Sequence, residues 1–344
     1  MKERPDMLLL DTPFTKDAGV KVPLICGAMY PCSNPELIAA VSKAGGLGII
    51  QPISMTFVHK HELREGIRLI RRLTDKPVGF NAIVEKSSKT YEDRMKNWID
   101  IALEEGVKFF ITALGNPAWV VEKVHAVNGK VYHDVTSLKW AQKALENGVD
   151  GLICVNSRAG GHAGGETRED LFASLSDLGV PLICAGGIGC EDDFISALSL
   201  GYAGVQMGTR FIATTECHAH PDYKKAILDA EENDIVLTEK ISGVPVSVIK
   251  TPYIEKTGTK AGPLAKWLLR HPRGKHYMRM VYTLKSVWQL KQASLKGVSY
   301  KEFFQAGKSV GSIRSIESAK LIVRRFAVAA QEATEKSFET EPKE

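Results

Sequence analysis

The chain has 344 residues, 44% of them apolar and 25% charged, with six cysteines and a formal net charge of +5. These proportions belong to an average folded protein and exclude a disordered, collagenous or fibrous one. No apolar run reaches the roughly 18 residues of a membrane span. Asp6, Asp11 and Asp17 near the start argue against a secretory signal. Six cysteines without a C-x-x-C pair read as reduced thiols of a cytoplasmic protein. Between Lys266 and Lys301 stand nine Lys or Arg and no acid, which leaves the rest of the chain at −4. One basic segment does not make a nucleic-acid-binding protein.

Short, mostly apolar runs of strand length recur along the chain. They are Val22 to Met29, Leu47 to Pro52, Val78 to Val84, Phe109 to Gly115, Val131 to Thr136, Gly151 to Ser157, Pro181 to Gly187 and Gly204 to Ile212. Continuous apolar runs are what parallel strands covered on both faces require. Helical stripes separate them. Ser33-Asn34-Pro35 is a start signal before Leu37, Ile38, Val41 and Ala44; Leu63, Ile67, Ile70 and Leu73 repeat the spacing. Later stripes run through Trp98, Trp119, Trp140, Leu171 and Phe194. Several end at glycine, whose left-handed conformation carries no Cβ penalty. Eight strand–helix units over about 200 residues predict an α/β fold, a (β/α)8 TIM barrel, ahead of a doubly wound sheet. The expected layout is a barrel over residues 1–215, a mainly helical C-terminal region over 216–335 packed on it, and a polar tail over 336–344.

In such a barrel, chemistry belongs at the C-terminal ends of the strands. There the sequence places Cys26-Gly27-Ala28-Met29, then Gly79-Phe80-Asn81, then Ser157-Arg158-Ala159-Gly160-Gly161-His162-Ala163-Gly164-Gly165. The last two strands end in Cys184-Ala185-Gly186-Gly187-Ile188-Gly189 and Gln206-Met207-Gly208-Thr209-Arg210. Glycines there let backbone N–H groups close on a phosphate, or simply permit tight turns. Neither G-x-G-x-x-G nor a P-loop motif occurs, so a dinucleotide-binding Rossmann domain lacks support. His162, flanked by glycine pairs, has no apolar neighbours to pack against. It reads as a proton-transfer group over the barrel mouth or as a solvent-facing loop histidine.

Taken in order, Gly27-Ala28-Met29, Gly79-Phe80-Asn81, Ala159-Gly160-Gly161-His162, Ala185-Gly186-Gly187-Ile188 and Gln206-Met207-Gly208-Thr209-Arg210-Phe211 resemble the nitronate monooxygenase (2-nitropropane dioxygenase) family. The resemblance spans about Val22 to His220. It implies FMN as cofactor and oxidation of alkyl nitronates by O₂ to a carbonyl compound and nitrite. It further implies flavin-ring contacts at Ala28, Met29 and Asn81, with Gly160 near the ring. Gly186, Gly187, Gly208 and Thr209 would hold the FMN phosphate, with Gln206 lining the same side, and His162 would be the acid or base beside flavin N5. The same fold and histidine motif serve NAD(P)H-dependent enoyl-acyl carrier protein, enoyl-CoA or quinone reductases, so these remain the alternative. A flavin-binding protein without turnover is disfavoured, because mere binding needs no His162.

Many members place Gln-Gly and a Glu before the glycine–histidine motif; this chain has Val155-Asn156 and Arg158. Arg158 would favour anionic substrates or face solvent. Trp267, Leu268, Met278, Met280, Val281 and Trp288 interleave with the cations of the basic segment. That pattern fits helices packed on the barrel, or a face steering an anionic partner such as NAD(P)H or an acyl carrier. The apolar C-terminal region is compatible with a homodimer. Cys217-His218-Ala219-His220 reads as structure rather than a metal site, His59-Lys60-His61 as solvated surface, and Cys26 and Cys184 as buried thiols.

Overall fold

A computed structural model describes residues 10–85, 89–239, 245–260, 291–292, 294–295 and 303–339. Eight parallel strands close into a barrel in chain order. They are β1 (Leu24–Cys26), β2 (Leu47–Ile50), β3 (Val78–Ile83), β4 (Phe109–Ala113), β5 (Lys130–Val135), β6 (Gly151–Val155), β7 (Leu182–Ala185) and β8 (Gly204–Met207). Closure is made by β8 on β1, with Ile25 opposite Gln206. Helix α1 (Pro13–Ala18) precedes β1. Helices α2 (Pro35–Ala44), α3 (Leu63–Leu73), α4 (Lys89–Glu104), α5 (Ala118–His125), α6 (Leu138–Leu145), α7 (Arg168–Leu175) and α8 (Glu191–Leu200) follow the first seven strands in turn. This is the (β/α)8 architecture expected from the alternation of apolar runs and helical stripes.

The N-terminal helix closes one end. Thr12 and Thr15 form a reciprocal capping box, and the Thr12 hydroxyl donates to the Ala203 carbonyl at 2.7 Å. That fixes α1 under the barrel, where Phe14 is fully buried and meets Phe109 and Tyr132 edge-on, at 5.7 and 6.1 Å between ring centroids. Tyr132 donates to Asp17 at 2.9 Å. Ile25, Leu47, Ile49, Ile111, Ile153 and Ile183 fill the interior above this plug. Only the opposite end, at the strands' C-termini, is left to receive a ligand.

Several local expectations need correction. The run Gly204 to Ile212 is a strand only to Met207; Thr209–Ile212 turns into a short helix, α9. The turn is held by Phe211 and Ile212 amides donating to the Gly208 carbonyl at 2.8 and 3.1 Å. Asn34 occupies the α2 N-cap position without a side-chain cap bond. Its amide instead donates to Glu36 and to the Glu216 carbonyl, and its oxygen accepts from the His218 amide. Trp140 is not on the buried stripe of α6, where Ala141 and Ala144 pack; it stands half-exposed between the ammonium groups of Lys139 and Lys143. His59 is not solvated surface. Its ring lies 3.2 Å from the Pro31 carbonyl, and burial pushes its pKa down to about 4.

Beyond α9 come α10 (Pro221–Asp229), an antiparallel pair β9 (Ile235–Thr238) and β10 (Val246–Ile249), α11 (Pro252–Thr257) and a C-terminal helix, Ala319–Glu339. The β-pair was not anticipated in a region expected to be mainly helical. The C-terminal helix runs through residues 336–339, four of the nine positions expected to be tail. Buried Arg210 ties this helix to the barrel: it donates to the Ala213 and Ser315 carbonyls, and Glu317 joins it to Arg325. Most of the basic segment lies outside the described residues. Among those described, no helix is long and apolar enough to cross a membrane.

Candidate active site

The open end of the barrel is lined by residues that the two-residue period of each strand turns inward. On β3, Gly79 packs against inward-facing Ile49, so Asn81 faces in one layer nearer the mouth. On β8 the same period brings Gln206 inward above Gly204. Gly27, just past β1, is required by that side chain: a Cβ there would stand 2.9 Å from Gln206 Cγ. Gln206 Oε1 is sealed from solvent and meets no hydrogen-bond donor among the described residues. A buried acceptor without a partner is costly unless a ligand supplies the donor.

Met29 follows Gly27 and Ala28, its amide donating to Ser33 Oγ at 2.9 Å. Met29 also reaches across to β8, its Sδ lying 3.5 Å from where a Cβ on Gly208 would be, with no other side chain of the described residues within 4 Å. Gly208 therefore borders open space rather than packed protein. The amides of Gly187, Ile188 and Gly208 donate to nothing among the described residues. Three N–H groups from the adjacent ends of β7 and β8 are thus left available for an anion.

Gly186 and Gly187 have a second reason to be glycine. Their φ angles are +121° and +80°, and a Cβ on Gly186 would fall 2.5 Å from Asn156 Oδ1. Asn156, fully buried at the end of β6, donates to the Gly186 carbonyl at 3.0 Å and accepts the Arg158 amide at 2.8 Å. That side-chain turn shapes the glycine loop and sets it against β7. In the sequence, Asn156 stood out only as a departure from the glycine of the family's Gln-Gly pair. Val155, the other departure, packs on the barrel interior.

Arg158 neither faces solvent alone nor offers a free cation. Its guanidinium crosses Gly187 and binds both carboxylate oxygens of Glu232, with Nη1 to Oε2 at 3.0 Å. Both side chains are about one-third to one-half exposed, at 35% and 44%. The pair should therefore contribute less than about 1 kcal/mol, and Glu232→Gln is expected to shift the urea midpoint only slightly. A loss of several kcal/mol would show that the pair is the main tether of the loop.

The glycine loop is further held by chain from far downstream. Ser247 on β10 donates to the Gly161 carbonyl at 2.7 Å, and Lys308 donates to the Arg158 carbonyl at 2.9 Å. Gly307 fits beneath the loop, where a Cβ would stand 2.7 Å from the Gly160 amide, and its own amide donates to Thr209 Oγ1 at 3.0 Å. The Thr209 hydroxyl keeps its hydrogen to donate elsewhere. This wall, made by β10 and residues 303–309, was not visible in the sequence.

His162 extends from this loop beside Gly161, whose φ is +68° and whose missing side chain leaves open space. The imidazole keeps access to water on one side. Desolvation by the surrounding protein still pushes its pKa below the usual value, so the ring is neutral at pH 7. The structure thus brings Ala28, Met29, Asn81, Gly160, Gly186, Gly187, Gln206, Gly208, Thr209 and His162 to one end of one barrel. Sequence reading missed Asp134, which β5 turns inward and which also carries an orphaned oxygen. The histidines of Cys217-His218-Ala219-His220 do structural work nearby: His218 lies 3.7 Å from Glu36, and His220 caps α10.

Residues 11–327 match the nitronate monooxygenase family. A dehydrogenase of (3aS,4S,5R,7aS)-5-hydroxy-7a-methyl-1-oxo-octahydro-1H-indene-4-carboxyl-CoA from Rhodococcus jostii is 31% identical, over 75% of this chain and 72% of that protein. A probable nitronate monooxygenase from Staphylococcus saprophyticus is 30% identical, over 72% and 81%. FabK from Thermotoga maritima superposes with a TM-score of 0.78 at 29% identity, covering 96% of this chain and 99% of that one.

Proposed function

The chain belongs to the nitronate monooxygenase family and is an oxidoreductase, and from that premise we propose that it oxidises alkyl nitronates or nitroalkanes with O₂, using FMN held in the barrel mouth. The observation that carries this reading is the combination, at one barrel end, of three backbone amides and a glutamine oxygen without partners among the described residues and an imidazole on an open loop. These residues fit the group. The amides of Gly187, Ile188 and Gly208, with the glycine turn at Gly186 and with Thr209, would take its phosphate. Gln206 Oε1 would accept from one of its donors, and Ala28, Met29, Asn81 and Gly160 would border its ring. FMN, when bound, would supply the two-electron chemistry and the reaction with O₂. The protein supplies the proton handling. Neutral His162 takes the proton from the carbon next to a nitro group, and its glycine neighbours leave room for the substrate beside the ring. The wall of β10 and residues 303–309 keeps the histidine loop in place during that transfer.

A second reading is favoured by the Rhodococcus relative, whose substrate is a CoA thioester: the same site would pass electrons between NAD(P)H and an enoyl thioester. Anaerobic mixing of the yellow protein distinguishes the two by its visible absorbance. Bleaching by propionate 3-nitronate alone supports nitronate oxidation. Bleaching by NAD(P)H alone supports the reductase and overturns the first reading.

A further inference from the structure

Tyr132 on β5 packs into the barrel interior against Phe14 and Phe109, so Asp134, two residues on, faces inward one layer nearer the mouth. Its lateral partner on β6, Ile153, belongs to the same interior cluster. The groups facing it are apolar on both sides: Ile111 and Ala113 on β4, Ile153 and Val155 on β6. On its own strand, Lys130 is engaged at the other end of the barrel, by Asp150 at 2.9 Å. His133 points to the outer face, where its ring meets the Thr112 hydroxyl at 2.8 Å. Among the described residues, no cation therefore stands opposite Asp134 on β4 or β6. Its Oδ1 is sealed from solvent and lacks a hydrogen-bond partner among the described residues, as does Gln206 Oε1 in the same mouth.

An ionised carboxylate in that position would be an uncompensated charge, and burial alone raises the group to about 7. A carboxylic acid differs from a carboxylate in what it can do: it carries a donor hydrogen as well as acceptor oxygens. Apolar neighbours on β4 and β6 cannot receive that hydrogen. An oxygen on a ligand entering the mouth can.

We propose that Asp134 holds a proton and donates it as a hydrogen bond to a carbonyl- or nitro-type oxygen of the ligand bound in the barrel mouth, which makes it a binding and specificity residue. This rests on the mouth being the flavin and substrate site. The oxygen belongs either to the cofactor ring or to the substrate.

The test compares Asp134→Asn, which keeps a donor, with Asp134→Val, which removes it. Isotope-edited infrared spectra of aspartate-labelled protein should show a protonated carboxyl at about pH 5 that disappears only near and above pH 7 and is missing from Asp134→Asn. Asp134→Val should weaken one ligand about tenfold and Asp134→Asn by no more than about twofold, as expected for one hydrogen bond. A loss in FMN affinity assigns the oxygen to the cofactor; a loss confined to the KM for nitronate assigns it to the substrate. A carboxyl fully ionised by about pH 5, or equal affinities of the Asn and Val variants for both ligands, would overturn the proposal. A protein that takes up no flavin would overturn the function proposed above, and the infrared titration would still decide whether Asp134 carries its proton.

Discussion

His162→Asn is expected to fold, keep its flavin and lose turnover of a neutral nitroalkane by about 10²- to 10⁴-fold, while turnover of a preformed nitronate falls much less. The difference follows from where the proton is. A nitroalkane still carries the hydrogen on the carbon beside its nitro group, and a base has to remove it; a nitronate has already lost it. Asparagine is close to histidine in size and polarity but cannot accept that proton. The loop should keep its shape, because backbone bonds hold it, Ser247 to Gly161 and Lys308 to Arg158. The pH dependence carries a definite sign. Only the neutral ring is a base, and desolvation lowers its pKa, so the acid-side loss of activity on nitroalkane should have its midpoint below the ordinary histidine value of about 6.5. Steady-state rates of both substrates on either side of that value check this. Equal losses on nitroalkane and nitronate would take proton abstraction away from His162, and an unchanged rate would remove it from the chemistry.

Much of the fold was legible because a parallel barrel covers both faces of its strands. Leu47–Ile50 and Leu182–Ala185 are runs without a polar side chain for that reason, and Gly186 and Gly187 after the second mark a turn at positive φ. The phosphate-side glycines and His162 were legible as local anomalies. What escaped was nonlocal. Arg158 looked like a free cation because Glu232, its partner, lies 74 residues downstream. The wall over the histidine loop comes from β10 and residues 303–309, a contact that no periodicity announces. Asp134 was absorbed into an apolar strand between Val131 and Thr136. Its inward direction is a matter of alternate residues, but which alternation faces in is settled only once Tyr132 is seen against Phe14. Asn156 shows the same limit: its side chain does its work on the Gly186 carbonyl, 30 residues away.

The two glycines at the phosphate side should respond oppositely to substitution. Gly186→Ala is expected to destabilise the fold by about 2–5 kcal/mol, combining a strained backbone with an overpacked one. Its φ of +121° is one that L side chains rarely adopt. The new Cβ would also press on Asn156 Oδ1 and on the Ala159 amide at 2.6 Å, which are fixed by the turn that shapes the glycine loop. Gly208→Val meets neither obstacle. The backbone there has φ −113°, outside the left-handed region, and among the described residues only the pliable Met29 side chain lies within 4 Å. Its stability should stay within about 1 kcal/mol of the parent. The added methyls project instead into the space beside the unengaged amides, so the purified variant should be folded and largely colourless. Urea melts and the ratio of flavin to protein absorbance separate the two effects. A fully yellow Gly208→Val would place the phosphate elsewhere, and an undiminished Gly186→Ala would mean the glycine loop does not rest on β7. If both outcomes hold, the glycines that resemble one motif divide by cause, Gly186 set by the protein's own packing and Gly208 by the ligand.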